Sequence, residues 1–192
     1  ALNGFTSEER AFDALQKVKD TYGITNAWNE FVIKKTVRDT MSTSSTSSPS
    51  FHQSTPKRIH TRMDRVIHGI PVYGEQMIVH ETDGKLTGIT GAYKPLKPTS
   101  AEPVLTEDEA LQAAIEAIDN KGSLTMTPAS ALVYYPLDGE AILAYQVNIS
   151  DLKLKEPAEW LVFVNAADGS ILKAHNTLAK LKGQAVGINN QS

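Results

Sequence analysis

His60-Thr61-Arg62, then Gly69-Ile70-Pro71-Val72-Tyr73-Gly74, then Met77-Ile78-Val79-His80 and the pair Asp83-Gly84 form the stretch of this 192-residue chain that says most about its fold. Pro71 fixes φ and has no N–H to give to a ladder, and it pushes Ile70 towards extended backbone. Gly69 and Gly74 on either side are free to take positive φ. The spacing predicts a strand, a stiff corner offering Ile70, Val72 and Tyr73 as apolar surface, and a second strand. Met77-Ile78-Val79-His80 and Leu86-Thr87-Gly88-Ile89 flank Asp83-Gly84, a two-residue loop of the kind that favours the primed turns matching strand twist. A β-hairpin follows. An ordinary β corner uses the same residues, so the stretch alone fixes structure and no function.

Outward from the hairpin, two blocks repeat one order of elements. The first opens on Thr6-Ser7-Glu8-Glu9, a capping-box pattern, and Ala11, Phe12, Leu15, Val18 and Tyr22 recur at helical spacing until Gly23. The periodicity predicts a helix of about four turns. Residues 24–38 carry Trp28, Phe31, Ile33 and Val37 and read as a strand. Residues 40–55 are mostly Ser and Thr, hold too little apolar surface to offset their ordering entropy, and read as a mobile loop. Lys94-Pro95-Leu96-Lys97-Pro98 is a stiff connector and the best domain boundary. After it, Thr106-Glu107-Asp108-Glu109 repeats the capping box, with Leu105 placed to staple onto Ala110. Ala110, Leu111, Ala114, Ile115 and Ile118 supply the apolar stripe, and Gly122 marks the stop. Strands are expected at 131–135, 142–149 and 160–164, and Asp168-Gly169 turns the chain back into a strand over 170–175. Helix then antiparallel strands, twice, predicts an α+β fold of two consecutive small domains, each a helix packed on an antiparallel sheet.

Composition excludes several classes of function. A net charge of −3, with no basic run longer than Lys57-Arg58, gives nucleic acid nothing to bind. No apolar run approaches the roughly 20 residues of a membrane span, and the first residues show no signal-peptide core. The absence of cysteine removes disulfides and thiolate metal sites and leaves the compartment open. A zincin needs two histidines one helical turn apart with a glutamate between them, but His80-Glu81 is followed by Gly84 where the second histidine would stand. The five histidines are scattered with no i, i+4 pair and read as surface or structural residues. Glu107, Asp108 and Glu109 suit the positive end of a helix dipole, a stabilising role. No catalytic residue is expected in this chain.

The motifs carry a family resemblance. Residues 5–93 resemble the domain shared by fungalysin and thermolysin propeptides, chiefly through His60-x-Arg62 and Gly69-Ile70-Pro71-Val72-Tyr73-Gly74. Residues 105–175 resemble a PepSY domain, with the capped helix, Tyr134-Tyr135, Trp160-Leu161-Val162-Phe163-Val164-Asn165 and the Asp168-Gly169 turn. In this order, and with a short tail, the two are similar to the prosegments of thermolysin-like proteases, nearest the vibriolysin branch. Two positions depart from the pattern: Arg65 stands where relatives carry Gln, and Ile67 where an aromatic is usual. The segment 40–55 reads as an insertion.

The resemblance implies a domain plan: a propeptide-like domain over 1–95, a connector over 96–104, a PepSY-like domain over 105–177 and an inhibitory tail over 178–192. It implies a segment that helps a secreted zinc metalloendopeptidase fold and blocks its cleft until degraded. The expected partner is the catalytic domain of the same precursor, in a 1:1 complex, with neither nucleic acid nor membrane involved. The chain has no cofactor of its own, and zinc and calcium are expected in the partner. The expected address is extracellular, or periplasmic in transit. His60, Arg62, Ile70, Pro71, Val72 and Tyr73 are the expected contacts on the first domain. Arg62 either bridges to a protease carboxylate or pairs within its own domain. Residues 181–192 contain no proline and are able to extend into a cleft. Ile188, Asn189, Asn190, Gln191 and Ser192 are expected there, with the Ser192 carboxylate, if self-cleavage ends the chain at that residue, reaching the partner's zinc. The alternative is a free-standing exported binding module or protease regulator built on the PepSY scaffold.

Overall fold

The structure is a computed structural model describing residues 6–39, 55–118, 124, 126–151 and 158–178. The chain divides into two compact units, Ala1–Pro95 and Leu96–Ser192, and the division falls inside the two-proline segment. The fold is α+β, with strands predominating. Expectations for residues 40–54, for Gly122 and for the tail over 179–192 lie outside the described residues.

In the first unit, α1 (Ser7–Lys17) starts as the sequence predicts. Thr6 Oγ1 accepts the Glu9 N–H at 3.1 Å while the Glu9 carboxylate accepts the Thr6 N–H at 3.3 Å. The four-turn helix is two pieces, however. β-branched Val18 leaves the helical region at φ −104°, ψ 11°, and a single further turn, α2 (Lys19–Tyr22), ends at Gly23 with φ 81°. Residues 24–38 are likewise not one strand. Asn26 caps a helical turn, α3 (Ala27–Glu30), by accepting the Trp28 N–H at 3.0 Å, and Glu30 accepts the N–H groups of Thr25 and Asn26 at 2.8 and 2.7 Å. Only at Phe31 does β1 (Phe31–Asp39) begin.

β1 pairs with β2 (Arg58–Ile67), β2 with β3 (Ile70–Thr82) and β3 with β4 (Lys85–Gly91), all antiparallel. Asp83 and Gly84, at φ 50° and 73°, form the expected primed turn. The corner differs from its sequence reading. His68 and Gly69, at φ 50° and 76°, make a second two-residue turn, and Pro71 lies beyond it in β3, opposite Val66. A bulge follows at once, between Asp64↔Gln76 and Val66↔Pro71, and carries Gly74 at φ 73°. A strand tolerates the missing donor of Pro71 beside such a bulge. On one side of the sheet Ala11, Ala14 and Leu15 of α1 cluster with Ile24, Ala27, Phe31, Met63, Met77 and Val79.

In the second unit, Thr106 and Glu109 form the reciprocal box that opens α4 (Glu107–Ala117), with Ala110 and Ala114 buried. The expected strands are present, the first three longer than expected and the last shifted by one residue: β6 (Ala129–Leu137), β7 (Glu140–Asp151), β8 (Ala158–Asn165) and β9 (Ile171–Asn176), antiparallel in that order. Part of the connector forms a short strand, β5 (Lys97–Pro98), parallel to the start of β7. Asp138 and Gly139, at φ 48° and 81°, close the β6–β7 hairpin. The loop at Asp168-Gly169 is longer than a two-residue turn. Only Gly169 has positive φ, and Asn165 N–H reaches Ser170 O at 2.8 Å while Gly169 N–H reaches Asn165 O at 2.9 Å.

Candidate functional site

Along β2 the side chains alternate. Thr61, Met63 and Arg65 are buried, which puts His60, Arg62 and Asp64 on the opposite face. The register places Val37 and His80 beside His60, Lys35 and Ile78 beside Arg62, and Val32 beside Asp64. Val32 and Val37 are 45% and 42% exposed. This is a mixed apolar and basic surface. Among the described residues no carboxylate pairs with the exposed Arg62, so the alternative of pairing within its own domain finds no support there.

His60 is held from both sides. Its Nδ1 lies 2.6 Å from Nδ1 of His80, and its Nε2 lies 2.9 Å from Asp39 Oδ2. His80 Nε2 meets Thr90 Oγ1 at 2.9 Å. Burial, and then the charge of His60, pushes the His80 imidazole below its ordinary value. Two of the five histidines, 20 residues apart in sequence, are therefore neighbours in the sheet. Uninterrupted pairing outward from His68-Gly69 would set His60 opposite Met77; the bulge moves it opposite His80 and lets Met63 face Met77 in the core. No motif reports such a slip, and Gly74 is its only local trace.

The four residues of the corner do not share one surface. Val72 is 3% exposed and belongs to the interior, which removes its side chain from the expected contacts. Ile70 is half-buried opposite Ile67, while Pro71 and Tyr73 are exposed. Arg65, the departure from the family pattern, is 4% exposed. Its Nη1 donates to Glu75 Oε2 at 3.0 Å and to the Lys94 carbonyl at 2.6 Å, and its guanidinium lies 3.9 Å from the centre of the Tyr93 ring. The Tyr93 hydroxyl donates to Glu30. Burial and that hydrogen bond push the phenol up to about 12. This cluster ties the segment after β4 to β2 and α3. Its members are 10 to 63 residues apart in sequence, so spacing gave no sign of it.

Among the described residues no group of three or more His, Asp or Glu side chains is placed to hold a metal ion, and no helix is long and apolar enough to cross a membrane. Ile188, Asn189, Asn190, Gln191 and Ser192 lie outside the described residues.

Comparison with known proteins agrees with the two-block reading. Residues 59–93 match the fungalysin/thermolysin propeptide motif, and residues 104–175 match the peptidase propeptide and YPEB domain. The chain is 28% identical to neutral protease B of Bacillus subtilis (strain 168) over 95% of its length, 30% identical to bacillolysin of Brevibacillus brevis over 67%, and 30% identical to thermolysin of Alicyclobacillus acidocaldarius subsp. acidocaldarius over 63%. It spans 32%, 26% and 23% of those proteins. The chain thus carries the two propeptide modules of thermolysin-like metalloproteases, in the order the sequence predicts.

Proposed function

We infer that this chain is the prosegment of a secreted thermolysin-like zinc endopeptidase, which assists the catalytic domain to fold and then occupies its cleft until it is degraded. The observation that carries this reading is the succession of the two propeptide modules over 59–93 and 104–175 in a chain spanning about a quarter to a third of its protease relatives. Binding only the native enzyme stabilises it by mass action, and surface that complements the forming enzyme lowers the barrier to reaching it. In this reading each unit is a helix-on-sheet scaffold. The face bearing His60 and Arg62, with Ile70, Pro71 and Tyr73 at the hairpin end, meets the catalytic domain in a 1:1 complex, and Val72 supports that hairpin from inside. Residues 188–192 engage the partner's cleft. Zinc and calcium belong to the partner, and the chain itself performs no catalysis.

Refolding tests this. The denatured catalytic domain, diluted with an equimolar amount of this chain, is expected to recover activity only as the chain is degraded, and without it to recover little. Active enzyme is expected to be inhibited to completion near one chain per enzyme, and removal of residues 181–192 to relieve inhibition while leaving the refolding aid. Equal recovery with and without the chain, together with no inhibition at excess, overturns the proposal.

A further inference from the structure

We propose that His60 and His80 form a two-nitrogen chelate for a first-row divalent transition metal on the exposed face of the first sheet. This goes beyond the prosegment reading and does not rest on it. The Nδ1 atoms face each other at 2.6 Å, while both Nε2 atoms are engaged on their far sides, by Asp39 Oδ2 and by Thr90 Oγ1, each at 2.9 Å. A carboxylate only accepts, so His60 Nε2 carries its hydrogen, and the Thr90 hydroxyl is able to accept one from His80 Nε2. The 2.6 Å contact between the two Nδ1 atoms is a hydrogen bond and so holds one proton between the rings; a metal ion takes the place of that proton, releasing it to water, and both Nδ1 lone pairs then point at the ion. Metal-binding imidazoles use this tautomer, the outer N–H tied to a carboxylate or another oxygen and the inner nitrogen on the ion.

The fit is close. Zinc–nitrogen bonds of 2.0–2.1 Å at a tetrahedral angle hold two nitrogens about 3.3 Å apart, so the rings need to separate by only about 0.7 Å from their 2.6 Å spacing. There is room for that. Gly88 stands opposite His80 on β4, and even a Cβ added there would stay 4.0 Å from the imidazole. His60 is 33% exposed, so water completes the coordination. The charges sharing the face are Asp39, which assists, Asp64 further along β2, and Lys35, Arg58 and Arg62, which hold the affinity below that of a three-ligand site. Imidazole nitrogen selects copper(II) and zinc over magnesium and calcium.

The intact chain titrated with zinc or copper(II) chloride is expected to bind one equivalent by calorimetry, copper more tightly, with the ring nitrogens of His60 and His80 shifting in long-range ¹H–¹⁵N spectra. Magnesium is expected to do neither. His60→Gln and His80→Gln should each weaken zinc binding at least tenfold with an unchanged far-UV spectrum. Asp39→Asn should weaken it about tenfold through the outer hydrogen bond, and His68→Ala should leave it unchanged. Binding that survives either glutamine variant, or unmoved His60 and His80 resonances with both metals, overturns the proposal. The spectra of the unsubstituted chain decide the matter even if a variant fails to fold.

Discussion

The two units start their main helices identically and bury different chemistry beneath them. Thr6 with Glu9 and Thr106 with Glu109 form the same reciprocal box, and α1 and α4 are each 11 residues long. Under α1, Arg10 grips Glu81 through Nε, at 3.0 Å to both oxygens, and through Nη2 at 2.6 Å, and Glu81 is only 4% exposed. This contact holds the guanidinium above its ordinary range. Arg65 is likewise buried, with Glu75 and Tyr93. The second unit buries Val147, Ile149, Val162, Phe163 and Val164 instead. Its buried tyrosines use their hydroxyls, Tyr134 donating to Ser100 O at 2.6 Å and Tyr145 to Leu105 O at 2.9 Å. Local sequence therefore specifies the helix start alike in both, and the interior decides what holds each sheet in place. Both interiors are packed with apolar side chains, and among the described residues the first adds buried charge pairs to them.

Phe163→Ala should show the largest effect, about 4 kcal/mol, because the ring is fully buried among Val133, Ala144, Tyr135, Leu161 and Leu172, its centre 4.9 Å from that of the tilted Tyr135 ring. Glu81→Ala should cost about 3 kcal/mol by leaving Arg10 without its partner. The sharper contrast lies in rescue. Arg10→Met combined with Glu81→Leu should recover most of the Glu81→Ala loss, since an apolar pair of similar volume replaces a buried ion pair at little cost. Denaturant unfolding, with amide exchange to assign the loss to its unit, measures both. A Glu81→Ala variant within 1 kcal/mol of the parent would show that the charge pair is not what holds the first sheet.

Alkaline pH separates the units by a smaller amount. The Tyr93 phenol is raised from 10.0 to about 12, by burial first and then by the Glu30 hydrogen bond, whereas Tyr134 is raised by burial alone. Above pH 10 the unfolded chain releases the Tyr93 proton and the folded chain keeps it. The folded state then binds more protons, so stability present below pH 10 is lost as pH climbs towards 12. After solvent screening the loss is about 1.5 kcal/mol. Tyr93→Phe should flatten this slope without abolishing it, because Tyr134 and Tyr145 still contribute. An unchanged slope would remove Tyr93 from the account.

What the sequence discloses divides along the same line. Both capping boxes and the Asp83-Gly84 turn are local chemistry and are legible, and Asp138-Gly139 carried the same signal as Asp83-Gly84 without being read. His68 at positive φ is not legible, since any residue other than glycine stands there uncommonly. The sequence marks Pro71 as a stiff corner, whereas it stands one step inside β3. α3 was hidden because Trp28 and Phe31 look like strand residues unless the Asn26 cap is weighed. The face bearing His60 and Arg62 followed from alternation, but the His60–His80 and Arg65–Glu75–Tyr93 contacts depend on register and on a bulge. Such contacts belong to the folded sheet and leave no spacing in the chain.

The smallest expected difference returns to the shared box. Thr6→Ala and Thr106→Ala each remove one side-chain acceptor from a helix start and should each cost about 1 kcal/mol. Their surroundings are not equal. In α1 the first turn is also tied to β1, where Arg38 donates to Ser7 Oγ and Thr36 to Glu8, both at 3.0 Å. In α4 the corresponding tie among the described residues is the bond from Ser130 to Glu107. With more of its first turn held by other bonds, α1 should fray less when its cap is lost, so Thr6→Ala should be the milder of the two by a few tenths of a kcal/mol. Amide exchange at Glu9 and Glu109 reads this directly. A Thr6→Ala loss clearly larger than that of Thr106→Ala would mean that the cap, and not the strand contacts, sets the position of α1 on its sheet.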